Sequence, residues 1–520
     1  MGDAKGDFLG DDSRAALERD ALPRFVARQR WFGGKARAIA SVRFHDWARI
    51  DTGAHPLFLT VVRIAYADGS TEQCHVPLTV LTSAEAEGAA SSPEAVLAPV
   101  PGAPSDLIGD AVWSTDAMRA LMNAVWSGAA FPSQLGRIVA IAGRAAHHEH
   151  LETAADVVPL PAVHSNSALT VGGRYLLKLF RRIEPGINPD VEIGRFLERT
   201  RASVNTPALV GSIEYRTQDG ALATLALVQK LVPSRANAWD DALEHLESFF
   251  GRARQQRAEP TPALVHELVG GYAKAMALLG TRTAELHLAL SAVTDEPDFA
   301  PEQTTEAELA AAARREREQA VAFLDLLEGR DETLDTDARF LANQVLARRA
   351  VLLTRIDSLW AGLCPYTKIR IHGDYHLGQV LCVGDDFVII DFEGEPARPL
   401  VERRAKQSPL RDVAGMLRSL SYAAETGLRA AAGADASRAR LAAWARGWES
   451  CTSTSFVEGY LHAAGAAVFV PSDSNQFRRA LDLFMLHKAL YELHYEMNNR
   501  PSWVTLPLRG ILEMLESGAR

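Results

Sequence analysis

The chain has 520 residues, which at about 150 residues per domain allows roughly three domains or subdomains. It carries 55 Lys and Arg against 65 Asp and Glu, and this net charge of −10 argues against broad electrostatic binding to nucleic acid or anionic lipid. The four scattered cysteines, the acidic N-terminus and the short apolar runs exclude a disulfide framework, a usual secretion signal and a membrane span. We therefore expect a cytoplasmic protein.

The first third of the chain predicts a small β-rich unit. Residues 40–66 read as short strands broken by turn residues, and residues 115–127 have helical spacing. Between them, residues 82–104 are rich in Ala, Ser, Pro, Gly and Glu, which is typical of a linker. We place a boundary near residue 90.

The middle of the chain predicts a hairpin, a loop and a helix. Two apolar segments flank Gly172-Gly173, a Pro-rich loop follows, and a short helical run then contains Glu192. A further pair of strands is expected at residues 208–213 and 222–231. The predicted parts are thus residues 1–90, 91–234 and 235–520.

Helical spacing dominates after residue 234. A single interruption is predicted, in which short strands surround the turn Gly384-Asp385-Asp386. The predicted elements are helices over 238–253, 262–288, 306–327 and 335–363, and strands over 368–371, 379–383 and 387–392.

The most informative segment combines two carboxylates and an amide. Asp374 lies in a predicted loop, Gln379 follows five positions later, and Asp391 ends the second strand of a predicted hairpin. This spacing matches the kinase scheme of a base, a metal-binding amide and a metal-binding Asp, with Gln where protein kinases use Asn. The hairpin would place Gln379 beside Asp391.

A lysine within an apolar strand gives a second signal. Lys178 lies in the run Tyr175–Phe180, where an unpaired buried cation would be unfavourable, so it requires an anion. Glu192, on the predicted helix, could pair with it. A pair of this kind holds nucleotide phosphates in kinases.

Three long runs resemble bacterial maltokinases: His372–Gln379, Asp391–Leu400 and Ser408–Ser419. The resemblance extends to Leu176–Phe196, Lys488–Gly510 and Arg30–Lys35, so it covers most of the chain. It implies an α+β, eukaryotic-protein-kinase-like bilobal fold with an N-terminal β-rich cap, an intermediate part that binds ATP phosphates and a mostly helical C-terminal lobe. The implied reaction is phosphorylation of maltose by ATP at the anomeric hydroxyl, giving maltose 1-phosphate.

The resemblance also implies roles for individual residues. Asp374 would be the base, Gln379 and Asp391 would bind Mg²⁺, and Lys178, tied by Glu192, would bind ATP phosphates. The segment Ser165-Asn166-Ser167 would cover the phosphates, and Gln229–Val232 would meet adenine. Asp412 would brace the catalytic loop through backbone hydrogen bonds.

The sugar site is less readable from sequence. Tyr491 and Tyr495 are four residues apart on a predicted helix, as are Glu492 and Glu496, a stripe typical of core packing as well as of sugar contact. The residues that we expect to include the substrate contacts are His372, Glu393, Arg411, Lys488, Tyr491, Glu492, Tyr495 and Trp503.

Two alternatives stay open at this point. The acceptor could be glucosamine, giving glucosamine 6-phosphate, or another substrate of an aminoglycoside-type kinase. A non-catalytic pseudokinase would lack at least one of Lys178, Asp374, Gln379 and Asp391, and all four are present. Maltokinases are often associated with trehalose synthase, so a partnership with a separate chain of that kind is expected.

Overall fold

The structure is a computed structural model that describes residues 8–53, 55–89, 92, 94–101, 103–146, 155–160, 166–330, 334–432 and 435–517. The chain divides into two compact units. The first unit comprises Met1–Arg199 and Pro207–Val232, and the second comprises Thr200–Thr206 and Pro233–Arg520. The sequence-based limits at residues 90 and 234 stay predictions.

The first unit begins with helices and an antiparallel sheet of six strands, ordered β1-β2-β3-β5-β4, with the sixth strand, β11 (Arg182–Ile183), paired with β3. Strand β1 alternates between buried and more exposed residues, as expected for a strand with one face on a core. In the helical segment before it, Leu22 and Phe25 are fully buried. The elements are α1 (Asp11–Ala16), α2 (Leu22–Arg28), β1 (Ile39–Ile50), β2 (Leu57–Tyr66), β3 (Thr71–Leu81), α3 (Ser83–Ala89), β4 (Val96–Val100) and β5 (Ala103–Asp110).

The linker predicted over residues 82–104 is wrong as a description of local structure. This stretch contains α3, all of β4 and the start of β5. Its small residues still permit a strand because β4 pairs with β5, and Leu97 and Val100 join the core. Backbone pairing therefore outweighs the composition here.

A second sheet of the first unit has seven strands in the order β6-β7-β12-β13-β10-β9-β8. The predicted hairpin at Gly172-Gly173 is confirmed, and both glycines have the positive φ, 58° and 60°, that such a turn favours. The elements are α4 (Thr115–Ser127), β6 (Ala130–Pro132), β7 (Gly136–Ala142), β8 (Val157–Pro159), β9 (Asn166–Val171), β10 (Tyr175–Phe180), β11 (Arg182–Ile183), α5 (Pro189–Thr200), β12 (Leu209–Thr217) and β13 (Leu222–Lys230).

Buried Asp46 joins the two sheets of the first unit. It lies in β1, and its carboxylate accepts hydrogen bonds from the hydroxyls of Ser133 and Tyr215, both at 2.7 Å. The backbone amides of Gln134 and Leu135 donate to the same carboxylate. Five donors, including the amide of Trp47, thus compensate the burial of one charge.

The second unit is mostly helical. Each of two predicted long helices is divided into two helices in the structure. The helix predicted over 262–288 is interrupted at Gly270, whose φ of 59° and ψ of −131° are not helical, and the helix predicted over 335–363 is interrupted at Arg348. Where a strand was predicted over 368–371, the structure has a strand of two residues, Thr367–Lys368. The elements are β14 (Ala236–Asn237), α6 (Ala238–Gln255), α7 (Pro262–Val269), α8 (Gly271–Leu290), β15 (Glu302–Gln303), α9 (Glu306–Glu328), α10 (Thr336–Ala347), α11 (Arg349–Ala361), β16 (Thr367–Lys368), β17 (Val380–Val383), β18 (Asp386–Ile389), α12 (Leu400–Arg403), α13 (Leu410–Ala431), α14 (Asp435–Ala464), α15 (Ser474–Asn499) and α16 (Thr505–Ser517).

Helices α8 and α14 pack closely because each has a glycine at the contact. A Cβ atom on Gly280 would lie 2.0 Å from the carbonyl oxygen of Phe456, and one on Gly459 would lie 1.9 Å from that of Ala277. Because the two helices are close, the hydroxyl oxygen of Tyr460, on α14, lies 3.0 Å from Nδ1 of His287, on α8. Within the described ranges, the helices are too short or too polar to span a lipid bilayer.

Candidate active site

Lys178 lies in the middle of the second sheet of the first unit. Its neighbours in β10, Leu177 and Leu179, are fully buried, and its own side chain is 15% exposed. The ammonium lies 3.6 Å from Oδ2 of Asp190, at the start of α5. A lysine within an apolar strand is thus paired with an anion.

Asp190 was not among the residues expected from the sequence. We predicted Glu192 as the partner of Lys178, and that pairing stays a prediction, whereas the structure shows an ion pair with Asp190, two residues earlier on the same helix. Asn188 caps this helix by accepting a hydrogen bond from the amide of Asp190. The cap fixes where the helix begins and hence the position of Asp190 in its first turn. Asn188-Pro189 was the sequence signal for that start.

The segment predicted to cover phosphates is partly strand. Asn166 and Ser167 begin β9 and lie opposite Phe180 and Leu179 of β10. Ser165 lies outside the described residues. A role in phosphate binding stays a prediction for all three residues.

In the second unit, the buried carboxylate of Asp412 holds the segment around Asp374 in place. Asp412 accepts hydrogen bonds from the amides of His372 at 2.8 Å and Gly373 at 2.9 Å. Burial would raise the pKa of Asp412, but the hydrogen bond and charge of His287 keep it below its ordinary value. Asp412 therefore holds the two residues before Asp374 as an anion, and its part in catalysis stays a prediction.

His372 was expected among the substrate contacts, and this role stays a prediction. The residue is 1% exposed, its Nε2 lies 2.9 Å from the carbonyl oxygen of Ile390, and the amide of Asp374 donates to its Nδ1 at 3.3 Å. A carbonyl can only accept, so Nε2 carries the proton and the ring is the neutral tautomer. His372 thus links Asp374 to the strand end that precedes Asp391.

Gln379 and Asp391 are adjacent, as the predicted hairpin required. The amide nitrogen of Gln379 donates to Oδ2 of Asp391 at 2.9 Å, across the base of the β17 and β18 hairpin. Asp391 has a φ of 67°, which is uncommon for a residue with a side chain and costs on the order of 1–3 kcal/mol. Strain of this kind is concentrated at functional sites.

A lysine on α15 lies beside Asp374. The ammonium of Lys488 is 3.7 Å from Oδ1 of Asp374 and 2.6 Å from Oε1 of Glu395. Burial alone would lower the pKa of Lys488, but these two carboxylates outweigh burial and raise it. The ring of Tyr491 lies 5.0 Å from the same ammonium.

Sequence reasoning missed Glu395, although it lies in the quoted run Asp391–Leu400. Besides Lys488, it binds the guanidinium of Arg398. Burial would raise the pKa of Glu395, but the two cations hold it at about 2. Lys488 is far along the chain, and Arg398 lies on an irregular segment, so the spacing of these residues in the sequence did not predict their contacts with Glu395.

The remaining substrate candidates contact other groups. Arg411 binds Glu316 at 3.0 Å, and Glu492 accepts two hydrogen bonds from Arg418. Tyr495 and Trp503 both lie against Arg500, and Trp503 stacks on Tyr422 at 6.2 Å. The backbone carbonyl of Glu393 accepts from Arg403. Of the candidates on α15, Lys488 lies beside Asp374, and Tyr491 lies against Lys488.

Comparison with known proteins finds a domain family that matches the N-terminal region, and proteins that are similar to this chain in sequence. Residues 25–122 match the sequence model of the Maltokinase N-terminal cap domain. The chain is 26% identical over 372 residues to a glucosamine kinase of Mycolicibacterium smegmatis, covering 71% of this chain and 82% of that protein. It is 28% identical over 294 residues to a glucosamine kinase of Streptacidiphilus jiangxiensis, covering 56% of this chain and 58% of the relative's length.

Solved structures extend the comparison to the fold. A glucosamine kinase in complex with glucosamine, ADP and inorganic phosphate matches with a TM-score of 0.62 at 20% identity, covering 96% of this chain and 98% of that chain. The predicted kinase-like α+β fold, with an N-terminal sheet region and a helical C-terminal region, is thereby confirmed. The fold and the relatives together support a kinase that acts on a sugar.

Proposed function

We propose that this chain is an ATP-dependent kinase that phosphorylates maltose at its anomeric hydroxyl, giving maltose 1-phosphate and ADP. The observation that carries the kinase chemistry is the adjacency of Gln379 and Asp391 in the unit that braces Asp374. Transfer of a phosphoryl group needs an aimed hydroxyl, a base and compensation of phosphate charge. Asp374 is the base that accepts the hydroxyl proton.

Cofactor roles follow from the donor chemistry. The Gln379 amide oxygen and the Asp391 carboxylate are hard oxygen ligands of the kind that Mg²⁺ prefers, and these two residues would hold the ion. Bound Mg²⁺ supplies compensation of negative charge on the phosphates. Lys178, ionised beside Asp190, binds phosphate oxygens of ATP.

The charge balance near Asp374 favours a neutral sugar. Glu395 is matched by Lys488 and Arg398, and Glu492, one turn along α15 from Lys488, is matched by Arg418. The cation nearest Asp374 would also repel an ammonium group at the acceptor. This arrangement, together with the long runs that resemble maltokinases, supports maltose as the acceptor.

Glucosamine is the second candidate acceptor. Both sequence relatives, at 26% and 28% identity, are named glucosamine kinases, and so is the solved structure that this chain matches over 96% of its length. In that case the product would be glucosamine 6-phosphate.

A panel of acceptors separates the two candidates. Purified protein is incubated with ATP, Mg²⁺ and either maltose, glucosamine, glucose or trehalose, while ADP release is measured and the product is examined by ³¹P NMR. We expect turnover of maltose with phosphate on the anomeric carbon, and a loss of about 10³-fold in D374N, within the range for removal of a general base. D357N, at an exposed pair with Arg317, is the control. Preferential turnover of glucosamine would select the second candidate, and no turnover of any sugar would contradict both.

A further inference from the structure

His376 lies between the proposed base and the residues proposed to bind Mg²⁺. It follows Asp374 by two positions and caps the 3₁₀ turn Leu377–Gln379. Burial lowers the pKa of His376 against the opposing charges of Asp374 and Asp391, so the ring is neutral at pH 7. Both carboxylates are therefore within electrostatic range of this ring. His376 is thus a neutral polar group at the centre of the proposed site.

The backbone determines which ring nitrogen of His376 carries the proton. The amide of Gly378 donates a hydrogen bond to Nδ1 at 3.0 Å. Because Nδ1 accepts, the proton of the neutral ring is on Nε2. The residue is partly exposed, and Nε2 has no hydrogen-bond partner among the described residues. The ring therefore offers one free N–H donor in a fixed orientation.

Gly378 makes room for this arrangement of the ring. A Cβ atom at position 378 would lie 2.9 Å from Nδ1 and 2.8 Å from Cε1 of His376. Such distances are shorter than van der Waals contact, so a larger residue would displace the ring. The turn between Asp374 and Gln379 thus holds the imidazole against its own backbone.

We propose that His376 is a further catalytic residue, whose Nε2–H group donates a hydrogen bond to an oxygen of the phosphoryl group during its transfer. This inference rests on the proposed function, because it assumes that the transfer takes place between Asp374 and Asp391. In that step the acceptor hydroxyl oxygen bonds to the γ-phosphorus, while the bond from this phosphorus to the bridging oxygen of ADP breaks. The hydroxyl proton passes to Asp374, and His376 keeps its own proton.

A neutral donor suits a site that already holds the Lys488 ammonium 3.7 Å from Asp374. Phosphoryl transfer spreads negative charge over three equatorial oxygens, and an N–H group that is already oriented stabilises this charge. A neutral ring does so without forming an ion pair that would occupy the Asp374 carboxylate. The hydrogen bond from Gly378 supplies the orientation.

Two substitutions of His376 separate the cap from the donor. Asn has a side-chain oxygen near the position of Nδ1, so H376N keeps an acceptor for the Gly378 amide but lacks the Nε2–H group. Gln reaches the position of Nε2 with its amide nitrogen, so H376Q keeps a donor but loses the cap. If His376 acted only as a cap, activity would follow stability in the two variants.

Initial rates and thermal melting of the full-length proteins provide the test, with ATP, Mg²⁺ and the sugar that the acceptor panel identifies. We expect kcat of H376N to fall about 10²-fold, the size of one lost donor to a transition state. KM for ATP and for the sugar should stay within about threefold, because the contact forms mainly in the transition state. H376Q should melt lower than H376N and yet be about tenfold more active. H462N, at an exposed histidine of α14, should match the wild type.

The outcomes separate the inference from the function on which it rests. An unchanged kcat in H376N, or a lower kcat in H376Q than in H376N, would overturn the catalytic role while the proposed kinase stands. A rise in KM alone would also overturn it, since the contact would then belong to binding. The expected order of variants with glucosamine as the acceptor would support the inference and replace maltose in the proposed function. No turnover of any sugar by the wild type would contradict both.

Discussion

The ammonium of Lys488 lies 3.7 Å from a carboxylate oxygen of Asp374, which is too far for a direct hydrogen bond. The same ammonium is hydrogen bonded to Glu395 at 2.6 Å. Glu395 therefore holds Lys488 back from the residue that we propose as the base. The spacing between Lys488 and Asp374 is set by a third group, and it can be altered without touching either residue.

Replacement of Glu395 should weaken catalysis through Lys488. In E395Q the lysine loses its charged partner and pairs directly with Asp374, where it occupies the carboxylate that would accept the hydroxyl proton, so we expect kcat to decrease by about tenfold, or about 1.4 kcal/mol. E402Q, at an exposed neighbour of Arg398, is the control. An unchanged kcat would show that Glu395 does not regulate this spacing.

The role of Asp190 beside Lys178 can be tested directly. Since Asp190 pairs with the lysine, D190N should raise KM for ATP by about tenfold. Initial rates at saturating sugar provide the comparison with the wild type. An unchanged KM for ATP would exclude Asp190 as a support of this lysine.

Asp412 should affect catalysis without contacting substrate. In D412N one oxygen that accepts from His372 or Gly373 becomes an amide nitrogen, which repels a backbone N–H. We expect kcat to fall by about 10²-fold, because small displacements of a catalytic group have effects of that size, and the melting temperature to fall as well. D325N, at an exposed pair with Arg349, should change neither quantity. A variant with full kcat would remove Asp412 from the account of the catalytic loop.

Stability in acid should depend on buried Glu316. Burial would raise the pKa of Glu316, but His487 and Arg411 hold it at about 2, well below the value of about 4.3 in an unfolded chain. Its ionised form therefore stabilises the protein above about pH 4.3, and this contribution is lost as the pH falls towards 2.

Calorimetric melting between pH 7 and pH 3 measures this effect. We expect E316Q to melt lower than the wild type at pH 7 and to lose less of its melting temperature on acidification. E328Q, at an exposed residue, should follow the wild type at each pH. Parallel curves for E316Q and the wild type would exclude Glu316 as a source of acid sensitivity.

Local features of the site could be predicted from the sequence. Gln379 and Asp391 are twelve residues apart with a two-strand hairpin between them, so turn residues alone fix their approach. An anionic partner for Lys178 was predicted, whereas its ion pair with Asp190 was not, because a predicted helix does not specify which of its carboxylates approach the lysine.

Contacts between distant segments could not be predicted in this way. Lys488 and Glu395 are 93 positions apart, and Arg418 and Glu492 are 74 apart. Such pairs depend on how helices pack, which periodicity does not specify. The same limit explains the linker predicted over residues 82–104, because a short strand such as β4 is defined by its partner β5 rather than by its own composition.

The N-terminal sheet cannot be exchanged between related chains as a separate module. A crossover after Asp110 would separate Arg181 from its carboxylate and the Tyr215 hydroxyl from Asp46. It would also require β11 to pair with a foreign β3. A chimaera that keeps these contacts must transfer the whole chain from Asp46 through Tyr215 together, so its seam lies inside the second sheet and not at the edge of the first.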